Sequence, residues 1–409
     1  MNKTSALLIS SSFMSFIGSG IFFVSITWYV YKELGSASSV GMIVLLSSIP
    51  GIFISPLAGV LADRFNKKRI VVLMDILRFI LIISVFTIIE FNMFSIYYLY
   101  VVTVAVTICS NLFFPSFSGL IKISVDKDNL SKVMGANSTS LQLGTIIGSS
   151  IAGVLIATIS IQGAFLICSL TYLISAMFLG NVRRIRQSET ASYEGIRQDI
   201  GFYRSLVNGF AYIKENSNIR ILILLGLITG TIVSAINTLL SAYTVEVLHS
   251  SETVYGILDA SYAFGGVVIG LVLVLFKNKI TFFKSMLLST LMLAISFVLL
   301  GVSSSIITSI VLLAVIGFTN MYQGIIRKTK LIGMTDFDYI GRVESVNWLV
   351  YSTISPLIAL VLGIAANIIS IDKIFLLMGT ILFGLFFVIL ISSLVYTKEK
   401  LYERSDINK

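Results

Sequence analysis

Apolar stretches of about twenty residues recur along this chain from Ser5 to Tyr396, and that is the length an α-helix needs to cross roughly 30 Å of hydrocarbon at about 1.5 Å rise per residue. Such stretches read as transmembrane helices, approximately at 7–31, 39–62, 70–89, 95–119, 133–158 and 163–182, then 219–245, 254–276, 283–302, 306–326, 344–368 and 373–396. Composition agrees: 56% of the 409 residues are hydrophobic and 12% charged, where a soluble domain carries about 25% charged residues. The first stretch ends in Trp28, Tyr29 and Tyr31 rather than in a small-residue cleavage site, so it is expected to remain as a span.

The segments between the spans alternate in basicity, which sets orientation. With the N-terminus in the cytoplasm, all of the 29 Lys and Arg fall in cytoplasmic segments except Lys32, Lys373 and the intraspan Arg78. A multi-pass protein of the cell membrane with both termini cytoplasmic is therefore expected. The net charge of +9 is spread over these loops rather than gathered on one domain, which argues against a nucleic-acid partner. Cys109 and Cys168 sit in apolar runs without metal-ligand or disulfide spacing, and His249 is the single histidine. A metal centre, a Ser/His pair and a cofactor are not expected, and neither is an enzyme.

The longest interruption, from Asn181 to Asn218, divides the spans six and six, the plan of two parallel bundles. The expected units are residues 1–182, a linker at 183–218, and residues 219–409 with a short cytoplasmic tail. Within the linker Ile196, Ile200, Tyr203, Val207, Phe210 and Ile213 recur at helical spacing opposite Arg197, Arg204 and Lys214, the pattern of a helix lying at the membrane interface. A faint repeat joins the halves. Leu120-Ile121 followed by Asp126-Lys127-Asp128 corresponds to Leu331-Ile332 followed by Asp336-Phe337-Asp338.

Between spans two and three the chain reads Gly59-Val60-Leu61-Ala62-Asp63-Arg64-Phe65-Asn66-Lys67-Lys68-Arg69. Gly59 permits close helix approach, Asp63 can cap a helix or pair with a cation, and the basic run holds the loop in the cytoplasm. The segment resembles the signature loop of the major facilitator superfamily. That resemblance implies an all-α membrane fold of twelve transmembrane helices in two six-helix bundles, with Gly59, Asp63, Arg64 and Arg69 forming a conformational latch. The matching loop of the second half, Lys277-Asn278-Lys279, is degenerate.

Four more segments are similar to the macrolide-efflux branch of the drug:proton antiporters and to the related enterobactin exporters. They are Asp75-Ile76-Leu77-Arg78; Phe113-Phe114-Pro115-Ser116 with Ala136-Asn137; Asn208 to Ile213 ahead of Ile219-Arg220; and Gly341-Arg342-Val343 ahead of Pro356. Two departures stand out. Span five has Gly144, Gly148 and Gly153 but lacks the proline of the Gly-Pro pair that many antiporters carry, and nothing from Ser95 to Gly119 is charged.

Polar residues deep in spans are candidates for a substrate cavity: Ser19, Ser25, Asn111, Asn237, Asn320, Gln323, Asn347 and Trp348. Each is open to the alternative of a helix-packing hydrogen bond. Asp75 and Arg78, three positions apart, share a helix face, so they serve either as a neutralising ion pair or in proton coupling. Asp259 has no such local partner. It suits a proton carrier or a receptor for a cationic drug, or else stands solvated in an external vestibule. The expected function is export of amphipathic, macrolide-like compounds by proton antiport, with protons, a small amphipathic substrate and the lipid bilayer as partners. Export of a siderophore or other secreted metabolite is the alternative.

Overall fold

The computed structural model describes residues 3–182, 202–275, 281–336 and 339–407. Regular structure among them is helical throughout: α1 (Lys3–Leu34), α2 (Ala37–Leu46), α3 (Ile49–Arg64), α4 (Lys67–Glu90), α5 (Ile96–Ser124), α6 (Lys127–Gly180), α7 (Phe202–Glu215), α8 (Ser217–Ala242), α9 (Glu252–Leu275), α10 (Phe282–Val302), α11 (Ile306–Met334), α12 (Ile340–Ala366) and α13 (Ile371–Ile407). Eleven helical runs are long and apolar enough to cross a membrane. The longest, α6, is two spans meeting at Ser160, whose φ of 78° and ψ of 169° break the helix, so the described residues make twelve crossings. Short turns join successive spans and force them antiparallel. The loops therefore gather at two ends: a terminal end with both chain termini, and a far end with the turns at Gly35, Ser160, His249, Ser303 and Asn367.

The lipid-facing surface follows from the composition. Val101, Ile307, Leu377, Ile381 and Val388 are exposed along their helices, an arrangement stable only where the surrounding solvent is apolar. Inside, close approach rests on small residues. A Cβ at Gly317 of α11 would overlap the Tyr262 carbonyl of α9, and one at Gly265 would overlap the Ala314 carbonyl.

At the terminal end Lys68 donates to the carbonyls of Gly180 (2.6 Å) and Val182 (2.9 Å), placing a cation at the negative end of α6. The expected linker lies partly outside the described residues, at 183–201; its remainder forms α7. Ile213 of α7 is buried with Leu222, Leu331, Val343 and Val346. The Tyr212 hydroxyl donates to Asp336 Oδ2 (3.0 Å) and accepts from the Asp336 amide (3.1 Å), while its ring stacks on Tyr339 at 4.3 Å. The helix is thus pinned to the turn between α11 and α12, with Val207 and Phe210 left exposed.

The α9–α11 contact is testable. Gly317→Val should destabilise the protein by about 1–3 kcal/mol through overpacking, seen as a lowered thermal unfolding midpoint of the purified protein in detergent. Gly270→Ala, at a position with nothing within 4 Å, should leave that midpoint unchanged.

Candidate functional site

Pro50 sits in the first turn of α3 and ends the helical path of span two at Ser47 and Ser48, because proline lacks an amide donor and clashes with the preceding turn. The break turns the Ser48 amide to the Leu45 carbonyl at 3.1 Å, and Ser48 Oγ donates in its place to the Val44 carbonyl at 3.3 Å; Ser47 Oγ adds a second bond, 2.8 Å, to the Ile43 carbonyl, which also accepts the Ser47 amide. Across from it, Pro356 interrupts the ladder inside α12. Between these two disruptions lies a cavity of about 270 Å³, its first wall made by Val44, Ser47, Ser48, Gly51 and Asn111, its second by Val233, Ser234 and Asn237 of α8 and by Trp348, Tyr351, Ser352, Ser355 and Pro356 of α12. Gly51 opens room for Asn111, since a Cβ there would stand 3.0 Å from its Oδ1. The α8–α12 wall is tied by Ser234, which hydrogen-bonds the Ser355 hydroxyl at 2.8 Å and donates to its carbonyl at 2.6 Å. The lining has hydroxyls, two carboxamides and two large aromatic rings, and no charged side chain.

Of the cavity candidates read from sequence, Asn111, Asn237 and Trp348 come together here. The others engage elsewhere. Ser19 bonds the Tyr172 hydroxyl (3.0 Å) and the Ser15 carbonyl, and Ser25 is fully buried in α1. Asn320 donates to Tyr262 (3.0 Å), Gln323 to Thr290 (2.9 Å), and Asn347 accepts from Arg327 (3.1 Å). Sequence reasoning missed Tyr351 and the serines of α8 and α12, which look like ordinary helix residues until the facing helix is known.

Asp75 and Arg78 form an ion pair of 2.8 Å in the core of the first helix set. Ser175 donates to Asp75 Oδ2 (2.6 Å), Ser15 to Oδ1 (3.3 Å), and Arg78 to Ser15 (3.1 Å). The guanidinium is sandwiched between the rings of Phe113 (4.6 Å) and Tyr172 (4.8 Å). Four crossings are tied together by this one cluster.

At the far end the two helix sets close on each other. Gly153 of α6 faces Gly256 of α9 so tightly that a Cβ on either would come within 2.5–2.6 Å of the other's Cα. Around this seam the Thr27 and Tyr255 hydroxyls bond at 2.9 Å, Trp28 stacks on Tyr255 at 5.1 Å, and Tyr31 donates to Glu246. Ser149 donates within its own helix, to the Thr145 carbonyl at 2.9 Å; Asp259 follows Tyr255 and Gly256 by about one turn of α9, and Asn367 donates to Ser38 at 3.0 Å. Asp259 thus lies in the seam rather than in the cavity lining. Of the signature loop, Gly59, Asp63 and Arg64 fall on the last turns of α3 with side chains outside the described residues; Arg69 is exposed on the first turn of α4, its amide donating to Asn66 at 3.4 Å.

Helices α2, α3 and α5 on one side and α8 and α12 on the other thus enclose a polar-lined cavity, and helices of the same two halves of the chain meet at the far end. The chain belongs to the Major Facilitator Superfamily, whose model matches residues 8–329, and it is accordingly a membrane transporter rather than an enzyme. It is 24% identical over 376 residues to macrolide efflux protein A of Streptococcus pyogenes, covering 90% of this chain and 91% of that one. It is also 24% identical over 380 residues to the staphyloferrin A transporter of Staphylococcus aureus (strain NCTC 8325 / PS 47), with the same coverage. Among solved structures the nucleoside transporter NupG superposes with a TM-score of 0.76 at 13% identity, covering 95% of this chain and 98% of that one. A bacterial homologue of the human lysosomal transporter Spinster, crystallised inward-facing and unoccupied, gives 0.67 at 14% identity over 96% and 95%.

The buried ion pair gives a second test. Asp75→Ala strands the Arg78 guanidinium and should cost roughly 3–5 kcal/mol of stability, measured as loss of folded protein on heating. The double variant Asp75→Asn/Arg78→Gln should recover most of it.

Proposed function

We propose that this transporter exports amphipathic, macrolide-like compounds across the cell membrane by proton antiport, with the cavity between α2–α3, α5, α8 and α12 as its substrate site. The observation that carries this reading is the lining itself. Trp348 and Tyr351 offer apolar faces, Asn111 and Asn237 offer paired donors and acceptors, and no fixed charge lines the wall, a surface suited to large solutes with scattered polar groups. Similarity along nine-tenths of the chain to macrolide efflux protein A supports the same class. Similarity of equal extent to the staphyloferrin A transporter favours a second reading, export of a siderophore or other secreted metabolite through the same cavity.

In this reading both termini are cytoplasmic, as the loop basicity requires. The closed seam is then the outer gate and the described state faces inward. Residues 1–182 and 219–409 rock as units about the cavity, joined by the 183–218 linker, and Gly59, Asp63, Arg64 and Arg69 latch them in the outward-facing state. Asp259, about one turn past Gly256 on α9 at the outer gate, is the proton carrier; Asp75 with Arg78 holds the first unit in shape.

The function is tested by growth inhibition across a compound panel with and without expression, alongside assay of metabolites exported to the medium. Expression should raise resistance to macrolide-like compounds severalfold; loss of a secreted chelator on deletion, with no change in resistance, would establish the second reading instead. The gate has its own test. A disulfide between Ser38→Cys and Asn367→Cys should lock the outer end and reduce export at least tenfold, with recovery on reduction. Asp259→Asn should remove the dependence of export on external pH, measured between pH 6 and 8 in cells with matched expression, and wild-type pH dependence in that variant would clear Asp259 of the role.

A further inference from the structure

Among the described residues the charged side chains buried in the helix sets are Asp75, Arg78 and Arg327. The first two neutralise each other; the third is left over. By sequence Arg327 falls just past the end of span ten, with the loop cations. The structure corrects this, since α11 continues to Met334 and carries Arg327 roughly 10 Å inward from its end at about 1.5 Å per residue. The residue is 7% exposed. Its Nη1 donates to the Leu222 carbonyl (3.2 Å) and to Asn347 Oδ1 (3.1 Å), while Nε has no partner among the described residues. Gly226 makes the berth, as a Cβ there would stand 2.8 Å from Arg327 Cζ.

A buried guanidinium without a paired counter-charge is costly, and no carboxylate among the described residues forms an ion pair with it. The nearest acidic residue along α12, Glu344, pairs through Oε2 with Lys328 at 3.2 Å and keeps Oε1 buried without a hydrogen-bond partner, with no salt bridge to Arg327. Arg327 also stands directly behind the cavity wall. Its partner Asn347 precedes Trp348 and lies one turn before Tyr351. The cavity lining holds no acidic side chain to compete. With Nη1 occupied, the Nε edge of the fork remains for an incoming group, and a guanidinium edge matches a carboxylate with two parallel hydrogen bonds.

We propose that Arg327, positioned by Asn347 and the Leu222 carbonyl, is the receptor for a carboxylate on the amphipathic molecule that the cavity takes. This rests on the reading of the cavity as the substrate site. The apolar body of the molecule lies against Trp348 and Tyr351, and its anionic group reaches past Asn347 to the guanidinium. Preference for an acid over the matching amide follows, because only the acid supplies the missing counter-charge.

The test uses the full chain in nanodiscs with Trp28→Phe, which leaves Trp348 as the single tryptophan of two. Quenching of Trp348 is titrated with 2-naphthylacetate, 2-naphthylacetamide and 2-naphthylethylamine, against empty nanodiscs. Naphthylacetate should bind at least tenfold more tightly than the amide, with the amine weakest. Arg327→Gln should raise the naphthylacetate Kd at least tenfold and leave the amide within twofold; Arg327→Lys, which keeps the charge and loses the fork, should retain an intermediate preference and carries the test if the Gln variant does not fold. Equal binding of acid and amide by the parent protein, or equal weakening of both by Arg327→Gln, overturns the proposal while the cavity reading stands. If none of the three quenches Trp348, the cavity reading fails and the proposal with it.

Discussion

A peptide group without a hydrogen-bond partner is worth several kcal/mol of penalty in hydrocarbon, and the rest of this structure is arranged around that fact. Nearly every crossing is an unbroken helix. The interruptions that bear on function are confined to places where something other than lipid meets the backbone. Span two breaks at Pro50 and span eleven is disturbed at Pro356; Pro356 itself and Ser47, Ser48 and Gly51 around the first break line the same cavity. Serine hydroxyls cluster at both disruptions: Ser48 donates to the Val44 carbonyl at 3.3 Å on one side, and on the other Ser352 donates to the Leu349 carbonyl at 3.3 Å. Irregular backbone and polar side chains therefore coincide because each needs the other, and the cavity is where a solute could replace water without stranding a peptide group.

The seam at the far end obeys a different rule. Between helices in lipid, burial of apolar surface gives no advantage, so association rests on close packing and a few hydrogen bonds. Gly153 against Gly256 provides the packing. The bonds around it, Thr27 to Tyr255 and Asn367 to Ser38, are neutral pairs, each worth about 0.5–1.5 kcal/mol net. A seam of this kind closes firmly without becoming irreversible. By contrast the Asp75–Arg78 cluster, with its serines and aromatic rings, costs several kcal/mol to break. The seam also holds one bond to a carboxylate, Tyr31 to Glu246, which is of the stronger, charge-assisted kind, while the larger polar cluster with its ion pair stays among α1, α4, α5 and α6.

How much of this could be read from the chain alone depends on whether a feature is local. The spans were legible because apolar length is a one-dimensional property, and the break between spans five and six fell where the structure puts Ser160. The faint repeat also has a structural counterpart: Asp126 stands at the N-cap of α6 and Asp336 just ahead of α12, and Asp336 is the residue gripped by Tyr212 of α7. The cavity was only partly legible. Asn111, Asn237 and Trp348 were identifiable as polar or amphipathic residues at membrane depth, but Ser19, Asn320 and Gln323 carry the same signal and spend it on hydrogen bonds within their own helix set. Facing is a property of two helices, and one helix does not encode it. Arg327 was hidden for a simpler reason, that a basic residue at the end of an apolar run looks like a loop charge until the helix is seen to continue.

The two halves of the chain differ in how they treat a buried arginine. In the first, Arg78 is neutralised by a carboxylate and held by a serine and two rings, with its Nε, like that of Arg327, left without a hydrogen-bond partner. In the second, Arg327 holds a backbone carbonyl and a carboxamide, groups that orient a guanidinium without neutralising it. A fixed charge left in that condition raises the energy of the empty protein, and any solute that brings the opposite charge removes the penalty on binding. One set is thereby a rigid wall and the other a wall with an electrostatic preference. The same asymmetry explains why the cavity needs no charged side chain in its lining. Arg327 bonds Asn347, the residue before Trp348 of the lining, so under this proposal the surface a solute touches stays neutral and adaptable while its orientation is set from a layer deeper.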